Sequence, residues 1–241
     1  MPARPLLIAG AVLLLAGCSA PGIPSTPVAP PPVVTFPTPA ADPDIELDQV
    51  EPGYVGMVDR SWAIAVAEAT GIPVRAVAAY AGAMFRSREV YPDCGIGWNT
   101  LAGIGLAESD HGRHDGSSIG DDYRVSPDIY GIQLTSIPDT DGGLVDGDTE
   151  FDRAVGPMQL IPQSWASWPS DGNGDGNPDP QNIADAAIAS ANYLCRASGG
   201  MTDEAGWQAA IAAYNTNEAY IRDVAAAAQQ YFEATEDLAT N

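Results

Sequence analysis

The chain has 241 residues, with 32 acidic side chains against 10 arginines and no lysine, for a formal charge of −22. That excess excludes an electrostatic nucleic-acid surface, which needs clustered Lys and Arg to displace counterions from phosphate. A hydrophobic share of 45% over this length is enough to build one buried core.

The N-terminus opens with Arg4 and the apolar run LLIAGAVLLLAG, which reads as a secretory signal over residues 1–17 and is too short for an ordinary membrane span. Leu15-Ala16-Gly17 before Cys18 resembles a bacterial lipobox, so Cys18 is the expected lipidation site. A lipoprotein of the cell envelope follows, anchored to the outer face of the cytoplasmic membrane by lipid alone. Residues 18–53 are dense in proline and read as a semi-rigid linker. Residues 54–232 form one expected domain, and 233–241 a frayed tail.

Within the domain, Met57 to Ala69 carries apolar residues at helical spacing and stops at Gly71. A second helix runs from Pro73 to about Arg88 with Val74, Val77, Ala78, Ala81 and Phe85 as its stripe. The third, Trp98 to Ser109, ends in GIGLAESDHG. Its apolar run of Trp98, Leu101, Ile104 and Leu106 delivers Glu108 to the start of a Gly/Asp/His loop. A carboxyl half sunk in apolar surroundings has its charged form disfavoured, which suits it to hold a proton near neutral pH. Gly103 and Gly105 each weaken that helix, so something must approach closely there, a second helix or a substrate. Once Cys18 carries lipid, Cys94 and Cys195 remain as a pair in an exported protein, and a disulfide is expected.

Residues 115–151 lack helical periodicity and read as an irregular cleft wall, with a short hairpin around Ile129 to Leu134 and a solvated run of aspartates. In AVGPMQLIPQSWASW, Pro162 can open a helix at Gln163. Gln159 offers donor and acceptor to sugar amides, and Trp165 is the tryptophan assigned to the core. DGNGDGNPDPQN then places Asp171, Asn173, Asp175 and Asp179 at positions 1, 3, 5 and 9 of an EF-hand-like loop, with Gly176 at 6 and the Asn177 carbonyl at 7. Asn182 at position 12 is not a carboxylate, so Asp185 is expected to close a longer loop. A structural calcium is the expected cofactor. Helices follow at Ile183 to Ala197, Gly206 to Tyr214 and Tyr220 to Phe232. His111 and His114, with Asp110 and Asp115 beside them, lack a third spaced ligand for zinc and read as a solvated loop.

Taken in order, the Glu-Ser pair after a Gly-containing helix, GPMQLIPQSW, DGNGDG and Ala-Tyr-Asn resemble the lytic murein transglycosylases, nearest the calcium-binding membrane-lipoprotein B type. The resemblance implies a mainly α, lysozyme-like (α+β) domain with a groove for peptidoglycan glycan strands, acting as a monomer. It implies Glu108 as the catalytic acid and base, with Ser109, Met158, Gln159, Tyr214 and Asn215 on the substrate. It further implies cleavage between N-acetylmuramic acid and N-acetylglucosamine to leave a 1,6-anhydro end. One carboxylate then suffices where ordinary glycosidases need two. The rivals are a hydrolytic muramidase pairing Glu108 with Asp110, Asp121 or Asp152, and a non-catalytic, calcium-stabilised glycan-binding lipoprotein.

Overall fold

The structure, a computed structural model, describes residues 36–40 and 51–240. The signal segment, Cys18 and most of the linker lie outside the described residues. Those described fall within one compact unit, Val34–Asn241. Its fold is mainly α, with seven α-helices and two small antiparallel ribbons.

Helix α1 (Arg60–Thr70) starts where the Asp59 carboxylate accepts the Trp62 N–H and stops at Gly71 in the left-handed region. Helix α2 (Val74–Val90) is buried along an unbroken run from Ala76 to Phe85. Its five alanines let α5 (Ile183–Ser198), itself alanine-rich, pack closely against it as the centre of the core. Helix α3 (Trp98–Ser109) has the bounds its periodicity predicts and packs against α7 (Glu218–Thr235). Helices α4 (Pro162–Ser167) and α6 (Glu204–Tyr214) complete the set. Asn182, Asp203 and Asn217 cap α5, α6 and α7 through their side-chain oxygens. No single helix among the described residues is long and apolar enough to cross a membrane.

The two helix glycines answer to close neighbours. A Cβ on Gly103 would lie 2.8 Å from the Val224 carbonyl of α7, and one on Gly105 only 1.9 Å from the Tyr80 hydroxyl of α2. Both neighbours are protein, although Gly103 also borders a surface cavity. Cys94 and Cys195 form the expected disulfide, joining the approach to α3 to the last turn of α5. Trp165 is buried.

Three expectations are corrected. First, the hairpin is larger than residues 129–134. Strand β3 (Tyr130–Pro138) pairs antiparallel with β4 (Phe151–Val155), Tyr130 opposite Val155 and Pro138 opposite Phe151, while β1 (Ser118–Ile119) and β2 (Val125–Ser126) make a separate ribbon. Second, the aspartates between β3 and β4 are not a solvated run. Asp139 accepts the N–H groups of Asp141, Gly142 and Gly143, and Asp141 those of Gly143, Leu144 and Val145. Asp152, 0% exposed, takes the Thr140 N–H and hydroxyl. These carboxylates substitute for the ladder bonds that an irregular connection lacks.

Third, the linker does not stay clear of the domain. Phe36 stacks edge-on against Trp207, and Asn99, 0% exposed, accepts the Ala40 N–H while donating to the carbonyls of Thr38 and Ala228. At the other end Thr235 is buried and Leu238 packs on the core, so the described part of the tail is ordered by contact rather than frayed.

Candidate active site

Four elements meet where α3 ends. Asp110 caps the helix in the left-handed region (φ 50°), and His111 follows it there (φ 57°), its N–H returning to the Gly105 carbonyl at 2.8 Å. That turn drives the His111 ring inward, between the hydroxyls of Tyr80 on α2 (3.1 Å) and Tyr231 on α7 (2.9 Å). His111 is therefore not in a solvated loop. Burial, more than the nearby Arg113, lowers its pKa to about 4, and the neutral ring donates through one nitrogen and accepts through the other. Ser109 fixes the same turn from another side, donating to the Pro157 carbonyl at 2.6 Å and accepting the Gly112 N–H at 2.8 Å.

Glu108, half-buried one residue earlier, points the other way, into a cleft of about 420 Å³. Desolvation raises its pKa to about 7, opposed by a 2.6 Å hydrogen bond that Tyr220 of α7 donates to its Oε1. The group can thus hold a proton near neutrality and also survive as a carboxylate, the two states an acid that turns base must visit. Tyr220 was not singled out from sequence. The available signal was its place five residues after Asn215, on the first turn of a helix capped by Asn217.

One wall of the cleft is the β3–β4 ribbon, which contributes Ile132, Leu134, Ile137 and Ala154. The base of β3 is held by Gln181, whose side-chain amide bonds both backbone groups of Ile129. The opposite wall carries Tyr193, Ala213, Tyr214 and Asn215. Tyr214 donates to the Met158 carbonyl at 2.6 Å and accepts from Ser190 at 3.0 Å, and its pKa is raised by burial first and the Glu108 charge second. Beyond the Glu108–Tyr220 pair, a second cavity of about 350 Å³ shares Asn215 and adds Asn217 and Asp223.

The predicted substrate contacts separate into two groups. Gln159, Tyr214 and Asn215 line the cleft with Glu108. Met158 and Ser109 do not: Met158 is 0% exposed, and the Ser109 hydroxyl is spent on Pro157 and Gly112. Gln159 takes the left-handed conformation (φ 47°), which turns Met158 into the core and leaves the glutamine outward. Met158 and Ser109 are supports of the site, not contacts within it.

The carboxylates named as partners for a water-using reaction are engaged elsewhere. Asp110 is held by Arg113, Asp121 by Arg75, and Asp152 by Thr140. Among the residues lining the main cleft, Glu108 is the single carboxylate.

The predicted calcium loop divides as well. Asp171 spends Oδ2 on the Gly176 N–H, while its Oδ1 is buried without a partner. Asn173 and Asp175 stand beside it, joined by a 2.9 Å side-chain bond, and Asp175 takes the Asn177 N–H. This part fits an oxygen-seeking cation, because a buried carboxylate oxygen with nothing to accept is costly otherwise. The far side fits less well. Asp179 is ion-paired to Arg124 at 2.7 Å, and Asp185 accepts the N–H groups of Gly172 and Asp179, one on each oxygen.

Residues 151–237 match the family model of the transglycosylase SLT domain. The matched segment runs from β4 to the end of α7, so it holds Gln159, Tyr214, Asn215 and Tyr220, whereas Glu108 lies N-terminal to it. No curated protein and no solved structure matches the chain. Over those residues the chain is similar to a transglycosylase SLT domain, and the described fold is mainly α.

Proposed function

We propose that this chain, which carries a transglycosylase domain over residues 151–237, is a lytic transglycosylase that cuts the β-1,4 bond between N-acetylmuramic acid and N-acetylglucosamine during cell-wall remodelling. The observation carrying this reading is that Glu108 alone among the cleft residues bears a carboxylate, half-buried and with a pKa near 7. Protonated Glu108 gives its proton to the glycosidic oxygen as the C1–O bond breaks. The resulting carboxylate then takes the proton of the muramoyl 6-hydroxyl, whose oxygen bonds to C1 and closes a 1,6-anhydro ring. No water is consumed, and no second carboxylate is required. Tyr220 holds the carboxylate stage in position, while Gln159, Tyr193 and Asn215 supply amide and aromatic contacts to the sugars.

Mass spectrometry of soluble products from purified peptidoglycan tests the reaction. Anhydro-muropeptides, each lighter than a reducing muropeptide by one water, are the expected product. Reducing ends would instead establish a muramidase.

The Tyr220 bond has a pH signature. Activity requires protonated Glu108, so it declines as pH rises through about 7. Tyr220 favours the charged form, so Tyr220→Phe should move that decline upward by about one pH unit. A profile of kcat/KM that does not move, or moves downward, would remove the assigned role.

Calcium is proposed as a structural ion, with Asp171, Asn173, Asp175 and the Asn177 carbonyl holding it. When bound it supplies charge neutralisation to a loop that is stitched through Asp185 to α5. With millimolar affinity, an excess of calcium should raise Tm by about 3–6 °C. Asp171→Asn should abolish that increment in a calcium titration followed by calorimetry, and an unchanged wild-type Tm would count against the ion. Export with lipid attachment at Cys18, at the outer face of the cytoplasmic membrane, is proposed from the N-terminal sequence alone.

A further inference from the structure

The transglycosylase reading leaves open which form of the glycan strand enters the cleft. We infer that the site takes muramoyl residues whose lactyl carboxyl is capped as an amide by a peptide stem, and discriminates against stripped strands in which that carboxyl is free. The inference rests on the reading above and on the charges and surfaces around Glu108.

Muramic acid carries its lactyl ether on the ring whose C1 is the reacting centre. The lactyl carboxyl therefore reaches the groove wall within one sugar of Glu108, whatever path the remainder of the stem takes. In this protein that surrounding is apolar on one side and acidic on the other. Ile132, Leu134 and Ile137 face the cleft from β3, with Ile161 below them, and Ile132 is 83% exposed. Across the Glu108–Tyr220 pair, the adjoining cavity ends at Asp223.

Among the described residues lining either cavity, none carries a positive charge. Arginines elsewhere in the fold are engaged: Arg113 with Asp110, Arg124 with Asp128 and Asp179, Arg153 with Asp148. A free lactyl carboxylate would enter this groove partly desolvated, beside Glu108 and Asp223, with no cation to meet it. An amide at the same place is neutral, and the methyl of the first stem alanine can lie against the isoleucines. The exposed Ile132 then has an occupant suited to it.

Three matched substrates test this with the whole protein: uncrosslinked strands bearing stems, the same strands after an N-acetylmuramoyl-L-alanine amidase has removed the stems, and stripped strands whose lactyl carboxyls have been converted to methylamides. Rates of anhydro-end release should be at least about tenfold lower on the stripped strands, and the methylamide should restore most of the loss. Ile132→Arg, at a site too exposed to unsettle the core, should raise turnover of stripped strands selectively. Equal rates on stem-bearing and stripped strands would overturn the inference and leave the transglycosylase reading intact. So would a methylamide as poor as the free acid, since peptide contact rather than charge would then decide. Absence of turnover on all three would overturn the transglycosylase reading itself.

Discussion

Glu108→Gln should lower kcat by about 10³-fold or more while leaving strand binding close to wild type. The amide keeps the volume of the carboxyl and can accept the Tyr220 hydroxyl through its oxygen, so the cleft should keep its shape. What it loses is the transferable proton and the base that receives the next one. Because Glu108 is the single carboxylate of the main cleft, nothing nearby can substitute, and acetate-like rescue by a neighbour is not expected. The variant should be, if anything, slightly more stable above pH 7. The wild-type carboxyl has its pKa raised from 4.5 to about 7, so its favourable protonated state is fully present below pH 4.5 and lost as pH rises through 7. Steady-state release of anhydro ends, alongside a pull-down on insoluble peptidoglycan, measures both halves. Retained turnover would move the acid to another residue, and lost binding would make Glu108 structural.

The second large effect concerns Cys94 and Cys195. Their bond spans 101 residues of sequence and links the segment entering α3 to the end of α5. In the chain-entropy model, opening a loop of that length removes up to about 4.7 kcal/mol, and loss of native bridges commonly costs about 2–5 kcal/mol. A Cys94→Ser, Cys195→Ser double variant should therefore be less stable by that amount in denaturant unfolding, with a lower midpoint and a larger m-value, because the unbridged unfolded chain exposes more surface. Reducing agent should reproduce the shift in the wild type and have no effect on the variant. A midpoint within about 0.5 kcal/mol of wild type would show that helix packing alone fixes the approach to α3.

Much of the helical frame was legible because its signals are local. The bounds of α3 follow from the spacing of Trp98, Leu101 and Ile104 and from the Asp-His-Gly stop, and Glu108 could be placed at the helix end from that alone. What was not legible depends on partners far along the chain. Tyr220 reaches Glu108 because α7 lies close against Gly103, a contact between segments more than a hundred residues apart. Asp179 reads as a calcium ligand until Arg124 is seen against it. Of the β3–β4 wall only a short hairpin around Ile129 to Leu134 is legible, because residues 139–150 separate its strands and the carboxylates folding that connection look solvated in sequence. Gln159 lines the cleft as expected, but Met158 turns into the core, where the left-handed backbone at Gln159 separates the two.

The packed strap at Phe36 to Ala40 sets where the folded module can be separated from the proline-rich segment before it. A polypeptide cut at Tyr54 would expose one face of Trp207 to water and strip the buried Asn99 amide of two of its three backbone partners, each loss worth about 1–3 kcal/mol. The true module boundary therefore lies inside the proline-rich stretch. An insertion between Phe36 and Ala40 would tear the module's own edge.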